Sequence, residues 1–346
     1  MENIFDCLKS GPYEDQNGRR FIRYDGDVGI EIETESVAAY NAPLLKYWEA
    51  KGDGSLHDFG IEYVSKGALA RGEELRNALV EWDTKINNKF KLKPDSFSTS
   101  VHIHINFMNK SWLTLANALT TYYLMENILI RFCGPSRRSN LFCMPLCDAE
   151  GILEDVLRVV RNIGFCKYNG LGIAQDIGKY AALNPCTLTR FGTMEVRSLE
   201  GTLDIDRIEL WVNLLLKIVD FASVKGRKPG DIVRMADQDR GEMVFTVFGD
   251  LARAFDKIPN QNALIAKNLY FAAKIAGASR FTDDQWGFPK PKKVYKEKLL
   301  TQLEEASQGM FKVPYGTLPI HQKLVVDEYV QRENNWDRVT FEVGEL

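Results

Sequence analysis

The 346-residue chain has no dominant charge: 44 basic residues against 47 acidic ones leave a formal net charge of −3. That balance gives no global field to hold nucleic acid or an anionic membrane, although a local patch remains open. No apolar run approaches the roughly 18 residues that span a bilayer. The first residues, MENIFDCLKSGPYED, lack a basic stretch followed by an apolar one, so no signal peptide is expected there and a cytoplasmic location is. With no targeting segment expected, the six cysteines are expected to be free thiols in a reducing compartment. Cys133, Cys143 and Cys147 have a spacing poor for zinc, and Cys143 is expected to pack beside Arg137. Neither a GxxxxGK[ST] loop nor a GxGxxG turn after a strand is present, which excludes P-loop and Rossmann nucleotide sites by sequence.

What is present is an ordinary globular composition, 45% hydrophobic and 26% charged, with no repeat or low-complexity tract. Period-two alternation predicts strands over 28–35, 60–65, 100–107 and 193–199. Helical periodicity covers about 70–90, 110–132, 149–162 and 205–224, the last a core helix around Trp211. Beyond 225 the pattern reads as helices at 240–275 and 295–332, with one further strand at 339–343. An α+β domain is therefore expected at 20–225 and a mostly helical C-terminal region at 226–346, packed on it.

Alternate residues of a strand point to opposite faces. In the four strands one face is apolar, and the other carries Glu31, Glu33 and Glu35, then Glu62, then His102, His104 and Asn106, then Glu195 and Arg197. A merely solvated face would mix in Lys, Thr, Ser and Gln, yet no lysine occurs on any of the four, and two of the four histidines of the chain stand on one strand. Crowded carboxylates repel unless cations join them, and some are expected to have raised pKa values without metal. Carboxylates with imidazole and no convincing thiolate favour Mg²⁺ or Mn²⁺, most often as carriers of nucleotide phosphates.

Six or seven motifs in order then resemble the amidoligases of the glutamine synthetase and glutamate–cysteine ligase superfamily of carboxylate–amine ligases. They are Val28-Gly-Ile-Glu-Ile-Glu, Asp53-Gly-Ser with Gly60-Ile-Glu-Tyr-Val-Ser, Val101-His-Ile-His-Ile-Asn, Ser136-Arg-Arg-Ser-Asn-Leu-Phe-Cys, Lys179-Tyr-Ala-Ala-Leu-Asn, Thr193-Met-Glu-Val-Arg and Leu199-Glu-Gly-Thr-Leu-Asp. The resemblance implies a curved antiparallel sheet forming a funnel, backed by helices, and ATP- and Mg²⁺-dependent amide formation through an acyl phosphate. It implies Glu31, Glu33, Glu62, His102 and Glu195 as metal ligands, His104 and Asn106 near the nucleotide, and Arg197 at the transferring phosphate. Asp53 would bind metal or face the amine; Lys179, Asn184, Arg190 and Arg137 would line the substrate end. Partners implied are ATP, a carboxylate and an amine, with no membrane and with nucleic acid neither required nor ruled out.

Two other functions share these residues: a phosphotransferase acting on guanidino groups, and a non-catalytic protein that keeps the funnel as a ligand pocket. The intact series of acids, His102 and Arg197 argues against the second. The stretch Lys290–Lys298, with Trp286 and Tyr295, reads as a solvated linker or as a grip for an acidic or phosphate-bearing acceptor. His57 and His321 read as turn and surface histidines.

Overall fold

The computed structural model describes residues 26–35, 44–52, 56, 60–90, 92, 99–138, 140–148, 150–162, 180–279, 281, 293–319, 322 and 326. Asp53, His57, Lys179, His321, Trp286, Cys7, Cys166 and the strand expected at 339–343 lie outside them. Two compact units divide the chain, Met1–Thr282 and Asp283–Leu346.

In the first unit the alternating segments form strands, in chain order β1 (Val28–Thr34), β2 (Trp48–Gly52), β3 (Ile61–Ser65), β4 (Ser100–Asn106), β5 (Leu183–Asn184) and β6 (Thr193–Glu200). They make one antiparallel sheet in the order β2-β3-β1-β4-β6-β5. The four strands expected from alternation are its centre; β2 and β5 are additions at its edges. The sheet is open and not strongly curled, flatter than the funnel that the resemblance implied. Its strands are only two to eight residues long, and the one shift of register recorded between paired strands lies in the β4–β6 pair, so there is little bulging to curl it.

The helices are α1 (Glu73–Trp82), which passes through a π-turn at Asp83–Asn87 into the short α2 (Asn88–Phe90), then α3 (Trp112–Cys133), α4 (Glu150–Asn162), the four-residue α5 (Leu188–Phe191), α6 (Ile205–Ala222), α7 (Pro229–Gln238), α8 (Arg240–Phe248) and α9 (Gln261–Ala278). The side chain of Ser111 starts α3 by accepting from Thr114 N, and Asp204 starts α6 by accepting from Asp206 N and Arg207 N. Apolar residues run round most of α3, so it is buried on several sides. It packs against β6 and α6 in front and against α7 and α9 behind. Val28, Ile30, Ile32, Val101, Ile103, Val196 and Leu199 fill the apolar side of the sheet with no exposure.

The helix expected over 240–275 is two helices, because Gly249 and Asn260 both take positive φ, 56° and 57°, and each breaks the helical path. The segment α7 was not separated from its surroundings by periodicity. In the second unit α10 (Lys293–Phe311) ends well before 332, where Lys312 takes φ 60° and Pro314 follows. Leu303, Leu318 and Val326 form a small core there with Ala306, Phe311 and Tyr315. Among the described residues no helix is long and apolar enough to cross a membrane.

Candidate metal and catalytic site

The register of the sheet builds the site. Glu31 stands opposite His102 across β1–β4, Glu33 opposite Glu62 across β1–β3, His104 opposite Glu195 across β4–β6, and Glu195 opposite Asn184 across β5–β6. Acids and imidazoles from four strands, with the Asn184 amide from a fifth, thus share one face. The partners Val101–Leu199 and Ile103–Val196 leave two residues, Arg197 and Ser198, facing His102. This one-residue bulge keeps Arg197 with Glu195 and returns Leu199 to the core opposite Val101.

Glu31 is the hub. His102 Nδ1 lies 3.1 Å from one of its oxygens and His104 Nε2 lies 3.1 Å from the other. Two sets of ligand atoms converge to within 4.8 Å: Glu31, Glu62 and His102, and Glu31, His104 and Glu195. Both share Glu31, and both consist of carboxylate oxygen and imidazole nitrogen, the donor chemistry of a hard divalent cation such as Mg²⁺ or Mn²⁺. The residues present therefore fit the metal that the resemblance implies. Glu33 is in neither set; its Oε2 accepts from the Ser100 hydroxyl at 2.7 Å, and the same hydroxyl lies 2.6 Å from His102 Nε2.

Second contacts hold these side chains. Asn184 Nδ2 donates to Glu195 Oε2 at 2.7 Å, and Arg197 forms an ion pair with Glu195 Oε1. His104 Nδ1 lies 3.1 Å from the Thr193 hydroxyl, and the ring meets Phe191 edge-on at 6.0 Å. Among the described residues the buried Arg197 Nε has no hydrogen-bond partner.

The expectation of raised carboxylate pKa values is overturned for Glu31 and Glu195. Burial pushes both up, but neighbouring cations outweigh it. His104, with hydrogen bonds from both imidazoles, holds Glu31 well below its usual value; Arg197 and then the two histidines lower Glu195. Burial pulls His104 down, and the charge of Glu31 outweighs it and raises it. The sequence reading counted acids against acids and left out that bases interleave with them.

Other expected residues sit differently. Asn106 is turned to the main chain: its Nδ2 donates to Gly26 O at 2.7 Å and its Oδ1 accepts from Met108 N at 3.0 Å. Arg137 is almost wholly buried and donates to Arg197 O at 2.8 Å, bracing the backbone of the bulge rather than lining a cleft. Cys143 packs on it as expected, with Sγ 3.6 Å from Arg137 O. Arg190 lies in α5. Among the described residues Cys133, Cys143, Cys147 and Cys186 form no disulfide, and burial pushes the Cys147 thiol up to about 12 and the Cys186 thiol up to about 11. Sequence reasoning missed Ser100 and Thr193. Each stands two residues before a named site residue, so the alternation that picked out His102 and Glu195 reaches both when carried one step upstream.

Residues 69–219 match the family model described as "Putative amidoligase enzyme". The match contains His102, His104, Glu195 and Arg197 and starts after β1 and β3, so Glu31, Glu33 and Glu62 stand outside it and join the site through the sheet. No curated protein matches the chain.

Proposed function

We propose that the protein is an ATP- and Mg²⁺-dependent carboxylate–amine ligase. The carrying observation is Glu31, shared between two converging sets of acid and imidazole donors on a single sheet face. The family match over 69–219 supports the amide-forming class, and the antiparallel sheet with helices on its apolar side supports a glutamine synthetase-like framework.

In this reading a carboxylate oxygen of the substrate attacks the γ-phosphorus of ATP, the bond to the β-phosphate oxygen breaks, and ADP leaves. The amine nitrogen then attacks the acyl carbon of the acyl phosphate, phosphate leaves, and the amine gives up a proton. Divalent cations supply charge neutralisation between the nucleotide phosphates and the attacking carboxylate. Glu31, Glu62, His102, His104 and Glu195 would hold them. Asn184 and Thr193 orient Glu195 and His104, and Asn106 shapes the end of β4. Arg197, anchored on Glu195, offers its guanidinium to the transferring phosphoryl oxygens. Asp53, Lys179 and Arg190 are assigned to the substrate end on the resemblance alone.

The test is an ATP-consumption screen with Mg²⁺ against pooled amino acids, polyamines and peptides, read by mass spectrometry. The expected product has the mass of acid plus amine less water, with ADP and phosphate formed alongside. A phosphorylated acceptor without condensation would instead establish a phosphotransferase.

A further inference from the structure

Resting on the ligase reading above for its purpose, we infer that Ser100 is a positioning residue that decides which nitrogen of His102 faces the cation. A hydroxyl owns one proton. Ser100 Oγ lies 2.7 Å from Glu33 Oε2, and a carboxylate only accepts, so that proton points to Glu33. Toward His102 Nε2, 2.6 Å away, Oγ then has only lone pairs to offer. The proton in that contact must sit on Nε2. The nitrogen left to act as an electron-pair donor is Nδ1, which lies 3.1 Å from Glu31 Oε2 and 3.5 Å from Glu195 Oε1.

Without metal, Nδ1 shares a proton with Glu31 at this point, and a bound cation would take the place of that proton between Nδ1, Glu31 and Glu195. If the hydroxyl pointed the other way, Nδ1 would carry the proton and His102 could not ligate from that side. Glu33, left out of both donor sets, acquires a role: it acts through Ser100 on the ring, a carboxylate–hydroxyl–imidazole relay of the kind that orients metal-bound histidines. Glu33, Ser100 and His102 are all buried, so water does not compete for these bonds.

The test uses the full chain labelled with nitrogen-15 histidine, with the His102 signals assigned by comparison with His102→Gln. Long-range proton–nitrogen spectra of the metal-free protein are expected to show Nε2 protonated, with any second ring proton on Nδ1 facing Glu31. Cadmium-113, added as an observable divalent ion, is expected to couple to Nδ1 while Nε2 keeps its proton. Ser100→Ala is expected to mix the two tautomers and weaken cadmium binding about tenfold or more, whereas Ser100→Thr, which keeps a hydroxyl, restores both. An Nε2 without a proton, cadmium on Nε2 or on neither nitrogen, or a Ser100→Ala protein unchanged in both readouts overturns the assignment. Thermal unfolding checks that the variants fold; if Ser100→Ala does not, the wild-type spectra still decide. The tautomer is read without ATP or substrate, so a protein that fails the condensation screen can still satisfy this test, and one that passes the screen can fail it.

Discussion

Glu33 and Glu62 are register partners, two carboxylates placed side by side on neighbouring strands of one sheet face. Like charges directly opposed across a sheet cost stability. Here the same face also carries Glu31, Glu195, two imidazoles and Arg197, so the arrangement stores an affinity for cations.

The first prediction follows from that affinity. A ligand that binds only the folded state stabilises it by about 2.7 kcal/mol at a hundredfold excess over Kd. Saturating Mn²⁺ or Mg²⁺ should raise Tm by several degrees, and Glu31→Gln should abolish the rise. Differential scanning fluorimetry with and without chelator checks it; a rise that persists in Glu31→Gln places the ion elsewhere.

The second concerns division of labour. His102 and His104 belong to different donor sets that share Glu31. Removing either imidazole should weaken one Mn²⁺ site and spare the other, while Glu31→Gln weakens both. Equilibrium titration followed by electron paramagnetic resonance counts the bound ions. Identical loss in His102→Ala and His104→Ala would mean that the imidazoles serve a common ion.

Arg197→Lys keeps the charge but loses the planar fork that grips two oxygens. Once a substrate pair is known, turnover should fall by about 10²-fold or more, about 2.7 kcal/mol, with a smaller change in ATP affinity. Lost ATP affinity with turnover intact at saturation would make Arg197 a nucleotide anchor. Turnover near wild type would remove it from the mechanism.

A fourth prediction lies away from the sheet. Burial pushes the Glu126 carboxyl, on α3, up to about 8 from an ordinary 4.5, despite a hydrogen bond from Leu146 N. The folded state holds this proton more tightly than the unfolded chain. Its contribution is therefore full below about pH 4.5 and is lost as pH rises to about 8, a matter of a few kcal/mol at most. Urea unfolding at pH 6 and pH 9 should show a smaller pH dependence in Glu126→Gln than in wild type, with the variant the more stable of the two at pH 9. Equal slopes in both proteins would show that Glu126 is ionised throughout.

Much of this was legible because the central strands alternate cleanly: apolar residues at Val28, Ile30 and Ile32 alternate with Glu31 and Glu33, and the same rule holds through His102 and Glu195. The edge strands were not, for physical reasons. Trp48–Gly52 reads WEAKG, with one apolar anchor and a glycine, and Leu183–Asn184 is too short for any period. Helix breaks at Gly249 and Asn260 depend on backbone angles that an apolar period does not encode. In the site, residue types announced metal chemistry, but the pairing of Ser100 with Glu33 and His102 depends on register, which becomes visible only when the strands are laid side by side.

The extra residue facing His102 in β6 bears on how related sequences should be compared. Met194, Val196 and Leu199 all face the core, yet the last interval is three residues rather than two. A chain without the bulge would carry the same core and the same glutamate and arginine in a strand one residue shorter. Alignments across this strand should therefore admit a gap beside Arg197, and a relative whose leucine follows its arginine directly would have kept the chemistry while losing only the kink.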